Sequence, residues 1–109
     1  MTPTLGEFEQ IVLLALVRLG DAAYGVTILR EIELRTGRRA SLGAIYTTLA
    51  RLAAKGYVAH RLGEPTPERG GRRKKFYRLE PRGARVLAHS VEALANMIEA
   101  PGGEPEALR

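Results

Sequence analysis

Arg38-Arg39-Ala40-Ser41-Leu42-Gly43-Ala44-Ile45-Tyr46-Thr47-Thr48-Leu49-Ala50-Arg51-Leu52-Ala53-Ala54-Lys55-Gly56 is the stretch on which the fold turns. Ser41 is a good helix N-cap and Gly56 a helix stop, so the spacing predicts a helix from Leu42 to about Lys55. Leu42, Ile45, Tyr46, Leu49, Leu52 and Ala53 recur at helical intervals and form its expected buried stripe. The opposite face reads Gly43, Ala44, Thr47, Thr48, Arg51, Ala54 and Lys55. That face has no acid and no bulky apolar residue. A helix that enters the major groove of DNA needs both properties, because phosphates repel carboxylates and bulk prevents close approach. The hydroxyls of Ser41, Thr47 and Thr48 suit base edges or phosphates, and Arg51 suits the O6 and N7 acceptors of guanine. Lys55, at the helix end, suits a phosphate. An ordinary solvent-facing surface is the alternative, and it explains neither Arg38 and Arg39 upstream nor the basic segment downstream.

Outward from this helix, the pattern on its N-terminal side is also helical. A first helix is expected from about Leu5 to Leu19, with Leu5, Phe8, Val12, Leu16 and Leu19 on one face. Ile11, Leu13, Leu14 and Val17 are apolar but lie off that face, so this helix calls for more than one partner. After Gly20, Asp21 is positioned to cap a second helix from about Ala23 to Thr36, stopped by Gly37. Its inward stripe is Gly25, Ile28, Leu29 and Ile32, with Gly25 marking a close approach or a tolerated glycine.

On the C-terminal side the period changes to that of strands. Tyr57 to Leu62 and Lys74 to Leu79 read as a hairpin around a loop rich in Pro, Gly and Arg. The loop and the strand behind it supply Arg69, Arg72, Arg73 and Lys74, and Gly70-Gly71 lets backbone lie close to a sugar-phosphate strand. Pro81 opens a fourth helix that runs to about Ala100, ended by Pro101-Gly102-Gly103. Ala84, Leu87, Val91, Leu94 and Ile98 alternate at intervals of three and four, the seam of a coiled coil. With the surplus on helix one, this seam predicts a homodimer whose interface includes Ile11, Leu14, Leu87, Val91, Leu94 and Ile98.

Composition narrows the function classes. The 109 residues carry a net charge of +5, and the charge is unevenly placed. Arg35 to Arg78 holds twelve Lys or Arg against two acids, while the rest holds five bases and ten acids. A concentrated basic block points to a polyanionic partner. There is no cysteine, which excludes disulfides, thiolate metal sites and a cysteine nucleophile and fits a cytoplasmic location. The longest apolar run, Ile11 to Val17, is too short to cross a bilayer, and the acidic N-terminus does not resemble a signal peptide. His60 and His89 stand alone, without carboxylate, nucleophile or further ligands at a mechanistic spacing, so neither an enzyme nor a metal or cofactor site is expected. Tyr24, Tyr46, Tyr57, Phe76 and Tyr77 read mostly as core or rim rather than as a platform for stacking RNA bases.

The order of elements is helix, helix, connection, helix, basic hairpin, helix: mostly α with a small β-hairpin, a winged helix-turn-helix with a C-terminal dimerisation helix. Residues 1–80 are expected to form the DNA-binding domain, 81–100 a dimerisation helix packed on it, and 101–109 a frayed tail. The expected partners are double-stranded DNA and a second copy of the chain. A protein-interaction adaptor or an architectural nucleic-acid-binding protein on the same fold are the competing readings, and the acid-free helix and basic wing weigh against the adaptor.

The residues also resemble the short members of the PadR family of bacterial transcriptional regulators. The likeness lies in Leu5-Gly6-Glu7-Phe8-Glu9, in Gly20-Asp21-Ala22-Ala23-Tyr24-Gly25-Val26 with Ile28, and in Ser41 to Leu49 with Arg51-Leu52 and Gly56-Tyr57-Val58. It continues through Gly70 to Leu79, followed by Gly83. The resemblance implies a homodimer built through the first and last helices, recognition by helix three and the wing, and usually repression. Many members have Pro after the helix-three tyrosine, where this chain has Thr47. Some short members bind aromatic compounds between subunits, often through a tryptophan; this chain has none, and any small-molecule effector is unidentified.

Overall fold

Four helices and one hairpin follow the expected order: α1 (Glu7–Leu19), α2 (Gly25–Thr36), α3 (Leu42–Ala54), β1 (Val58–Leu62), β2 (Lys75–Leu79) and α4 (Pro81–Ile98). The computed structural model describes residues 3–65 and 73–99. Arg69, Arg72 and the tail from residue 100 onward lie outside the described residues.

Helix α1 starts when the Glu9 carboxylate reaches back to accept the Gly6 amide at 2.9 Å. Leu5 therefore precedes the helix, though its side chain is buried. The core takes Val12, Leu13, Ala15 and Leu16. Leu13 is fully buried although it lies off the expected face, because α1 packs against α2, α3, β2 and α4 of the same chain. Part of the apolar surplus on α1 is thus consumed internally. Leu14 and Val17 remain exposed, at 42% and 57%.

The entry to α2 differs from expectation. Asp21 sits in a single 3-10 turn, Gly20–Ala22, and does not cap α2. Thr27 does the work from inside the helix. Its hydroxyl accepts the Tyr24 amide at 2.9 Å and donates to the Ala22 carbonyl at 2.6 Å. Gly37, with φ of +68°, ends the helix as expected. Glu31 joins α2 to α1 by accepting from Arg18 at 2.6 Å, and also pairs with Arg35 at 3.1 Å.

Helix α3 is capped by Ser41, whose Oγ accepts the Ala44 amide at 3.1 Å. Ile45, Leu49 and Leu52 are fully buried and pack with Val12, Leu13, Ile28 and Ile32 at the centre of the molecule. The hairpin is antiparallel, with Val58 opposite Leu79 and Leu62 opposite Lys75. It is tied to the front of α2 by a hydrogen bond from the Tyr77 amide to the Ala23 carbonyl, 2.8 Å. Arg61 lies 4.7 Å over the Phe76 ring, and Phe76 meets Tyr24 edge-on at 5.4 Å.

Pro81 opens α4 at its first turn. Gly83 lies against the Tyr57 carbonyl, so α4 crosses the start of the hairpin at backbone contact distance. Val86 and Leu87 enter the core. Leu87, expected at a subunit interface, is only 6% exposed within its own chain: the early half of α4 is spent on intramolecular packing. From Val91 onward the helix carries Val91, Leu94, Met97 and Ile98 exposed. Among the described residues, no helix is long and apolar enough to cross a membrane.

Candidate nucleic-acid interface

The recognition face of α3 is narrower than its sequence implied. Gly43, Ala44, Thr47 and Arg51 are exposed, as is Ser41 at the cap. Thr48 is not: it is 5% exposed, which removes its hydroxyl from any surface contact. The reason is helical phase. Ile45, Thr48, Leu49 and Leu52 stand at i, i+3, i+4 and i+7, and this set is the true inward stripe. Leu42, Tyr46 and Ala53, expected inside, are exposed instead. Ser41 keeps a hydroxyl proton to donate while its oxygen caps the helix.

The cations around this face divide by their partners. Arg38 donates to Glu7 at 2.7 Å and lies 5.6 Å over the Phe8 ring. Both members of that ion pair are exposed, so it adds little stability and opens at small cost. Lys55 is held more firmly: its ammonium donates to the Glu9 carboxylate at 3.2 Å, and Glu9 is only 8% exposed. A phosphate at Lys55 would have to compete with that carboxylate. Burial alone would raise the pKa of Glu9, but the Gly6 amide, the Lys55 hydrogen bond and the Lys55 and Arg51 charges outweigh it and hold it below the ordinary carboxylate value. Arg39 and Arg51 make no ion pair among the described residues, and both are exposed.

The wing contributes Arg73, Lys74 and Lys75, all exposed. The Lys74 ammonium stands 4.6 Å over the Tyr24 ring. Between the wing and α3 runs a groove of about 700 Å³ that the sequence pattern does not reveal. Tyr46 lies on one wall and Tyr77 on the other, with Val26, Ala50 and Ala53 between them. The Tyr77 phenol has its pKa pushed up, first by burial and then by the neighbouring Tyr46. The one advance signal of this groove was Gly25. A Cβ there would fall 2.6 Å from Cζ of Tyr46, so the glycine provides the seat for the tyrosine ring.

A second surface carries the residues expected at a subunit contact. Leu14 on α1 and Val91, Leu94 and Ile98 on α4 are exposed, and Ile11 is half-buried. Ile11 and Leu14 line an apolar groove between α1 and α2, rimmed by Arg18, Glu31 and Arg35. His60 tilts against Tyr77 at 5.8 Å, and His89 is exposed on α4. Among the described residues, no three His, Cys, Asp or Glu side chains converge on a metal position.

Residues 13–89 match the transcriptional regulator PadR-like family. The chain belongs to that family. As a PadR-like protein it shares its fold with several solved structures. A transcriptional regulator from Clostridium thermocellum is 27% identical, with a TM-score of 0.69 over 82% of this chain and 81% of that one. RosR of H. salinarum is 25% identical, with a TM-score of 0.68 over 89% and 80%. A PadR family transcription regulator from Clostridium difficile, at 21% identity and a TM-score of 0.68 over 83% and 90%, matches in fold. Comparison with curated protein sequences gives no match.

Proposed function

We propose that this PadR-like chain is a sequence-specific DNA-binding regulator that acts as a homodimer on a pseudo-palindromic operator, as a repressor and in the cytoplasm. The observation that carries the reading is the face Ser41, Gly43, Ala44, Thr47 and Arg51: small, hydroxylic, free of acids, and flanked by Arg38 and Arg39 on one side and the cationic wing on the other. On this reading α3 reads bases and the wing supplies charge. Residues 1–80 form the DNA-binding part. The dimer is held by the later half of α4, through Val91, Leu94 and Ile98, against Ile11 and Leu14 of the partner. Those side chains are a concentrated set of exposed apolar groups on a chain of modest size, which favours a permanent partner. The chain has no catalytic role in this reading. An effector would be a small molecule lodged between subunits and bound mainly by apolar side chains.

Selection of bound sequences from random duplex DNA tests the proposal. The expected result is an inverted repeat whose half-sites lie about 10 bp, one helical turn, or a multiple of it apart. Failure to enrich any sequence, with binding that depends only on salt, would overturn it in favour of an architectural role.

A further inference from the structure

We propose that Ser41 is a phosphorylation site for an arginine-directed serine kinase, and that its phosphate releases the chain from DNA while strengthening the start of α3. The inference rests on the DNA-binding reading above and adds a control to it. Arg38-Arg39-Ala40-Ser41-Leu42 places two cations two and three residues before a hydroxyl. No other Ser or Thr of the chain has arginine at both positions. Kinases select substrates by such charge patterns, through carboxylates beside the groove that holds the peptide. The segment also has the shape such a groove takes. Residues 37–40 join α2 to α3 without helix or strand, and Ser41 is extended, with φ of −113° and ψ of 152°. Arg38, Arg39 and Ser41 are all exposed. The backbone is held to α2 by exposed contacts, from the Arg38 amide to the Thr36 hydroxyl at 3.1 Å and from the Ala40 amide to Glu33 at 3.5 Å. Beyond them only the first turn of α3 must fray for the kinase to grip Leu42, and helix ends fray readily.

In the transfer, Ser41 Oγ bonds to the γ-phosphorus of ATP as that phosphorus parts from the β–γ bridging oxygen; ADP leaves, and the hydroxyl proton passes to the kinase's carboxylate base. The product suits the folded chain. An open groove of about 460 Å³ lies beside Ser41, lined by Phe8, Arg38, Arg39 and Ala44, with no acid in its lining among the described residues. A phosphate on Oγ would stand at the positive end of α3 beside two arginines, where it takes over the capping of the first turn with more charge than the hydroxyl has. Arg38 is free to turn to it, because its pair with Glu7 is exposed on both sides. Toward DNA the same group acts oppositely. Ser41 borders Gly43, Ala44 and Thr47, so nearly two negative charges would face the phosphates of the duplex. The arginines that would neutralise those phosphates would be engaged by the chain's own.

Stability and DNA binding thus respond with opposite signs, which damage to the helix cannot imitate. The test treats the full chain with the catalytic domain of an arginine-directed serine kinase and ATP and locates phosphate by mass spectrometry. Thermal melting and fluorescence anisotropy, on the selected duplex and a scrambled one across a salt series, follow the product. One phosphate per chain is expected, on Ser41; Ser41→Ala should take up none, and Arg38→Gln with Arg39→Gln should slow uptake about 10-fold or more, the factor for a lost charge-assisted hydrogen bond. The phosphorylated chain should melt higher, and its Kd should rise at least about 10-fold on both duplexes by the same reasoning. Its salt slope should fall by about 0.9 for each duplex phosphate no longer neutralised, and phosphatase should reverse all three changes. No uptake at Ser41 would overturn the proposal, as would a phosphorylated chain that binds as tightly as before. A lower melting temperature would assign the lost binding to a disrupted helix and overturn it as well. An unmodified chain that binds neither duplex would remove the DNA-binding reading, and the release with it; uptake at Ser41 is read without DNA, so the two failures stay distinct.

Discussion

Two glycines in two helices should respond to the same substitution with opposite signs. Gly→Ala inside a helix ordinarily stabilises by about 0.5–1 kcal/mol, because alanine loses less backbone freedom on folding. Gly43, on the outer face of α3, meets that condition: an added Cβ would find only Ser41 Oγ, at 3.9 Å. Gly83, in the first turns of α4, does not. Its Cβ would stand 2.9 Å from the Tyr57 carbonyl carbon, closer still to the oxygen, and 3.0 Å from Leu79 Cδ1. The Tyr57 carbonyl cannot simply move aside, because it accepts the Glu80 amide at 2.9 Å where β2 hands over to α4. Overpacking of this kind costs about 1–3 kcal/mol, and against backbone the upper half of that range applies. After the propensity gain, Gly83→Ala should destabilise by about 1–2 kcal/mol, which lowers the melting temperature by several degrees in a domain of this size. Gly43→Ala should raise it. Urea and thermal unfolding of both variants at matched protein concentration would measure the difference, since a dimer's stability depends on concentration. A stabilised Gly83→Ala variant would refute the close approach of α4 to the hairpin and, with it, the placement of the later half of that helix, proposed above to hold the dimer.

The remaining expectations concern assembly, readout and pH. Leu94→Glu places a charge on the exposed apolar face of α4 and should dissociate the dimer in sedimentation at micromolar concentration while leaving the protomer core, which excludes Leu94, intact; a wild-type chain that sediments as a monomer would contradict the assembly. Arg51→Ala should cost about 1–3 kcal/mol on the selected duplex and relax the preference at one base position, and equal weakening on a scrambled duplex would assign Arg51 to the phosphates instead. The buried Glu9 carboxylate has a folded pKa below its ordinary value of 4.5, so its contribution to stability is present above that value and is lost as pH falls through the lower folded pKa. Glu9→Gln should therefore flatten the acid limb of the stability profile and lower stability at neutral pH, where Lys55 loses its partner; an acid limb identical to the wild type's would show that the pair is not coupled to folding.

Much of this architecture is determined by short-range chemistry and can be read along the chain. Ser41 and Gly56 bound α3, Gly37 ends α2 and Pro81 opens α4 through local backbone preferences that need no tertiary partner. The division of charge is equally local, which is why the basic wing and the acid-free helix were legible together. Phase was not. Thr48 and Tyr46 differ by two positions near the border between the two faces of α3, and hydrophobicity favours Tyr46 for the inside. Packing decided otherwise: Thr48 is small and is buried on the same stripe as Ile45, Leu49 and Leu52, while the end of the Tyr46 side chain finds room only where Gly25 of another helix leaves it. Lys55 likewise read as a free phosphate ligand, because its partner Glu9 lies 46 residues away in sequence. Leu87 and Leu94 share one seam in sequence, yet the chain's own core ends between them, so Leu87 is buried and Leu94 is left exposed. Periodicity specifies which side chains share a face; only the tertiary structure specifies how far along that face the molecule's own core extends, because burial depends on the surfaces that the rest of the chain brings up against it.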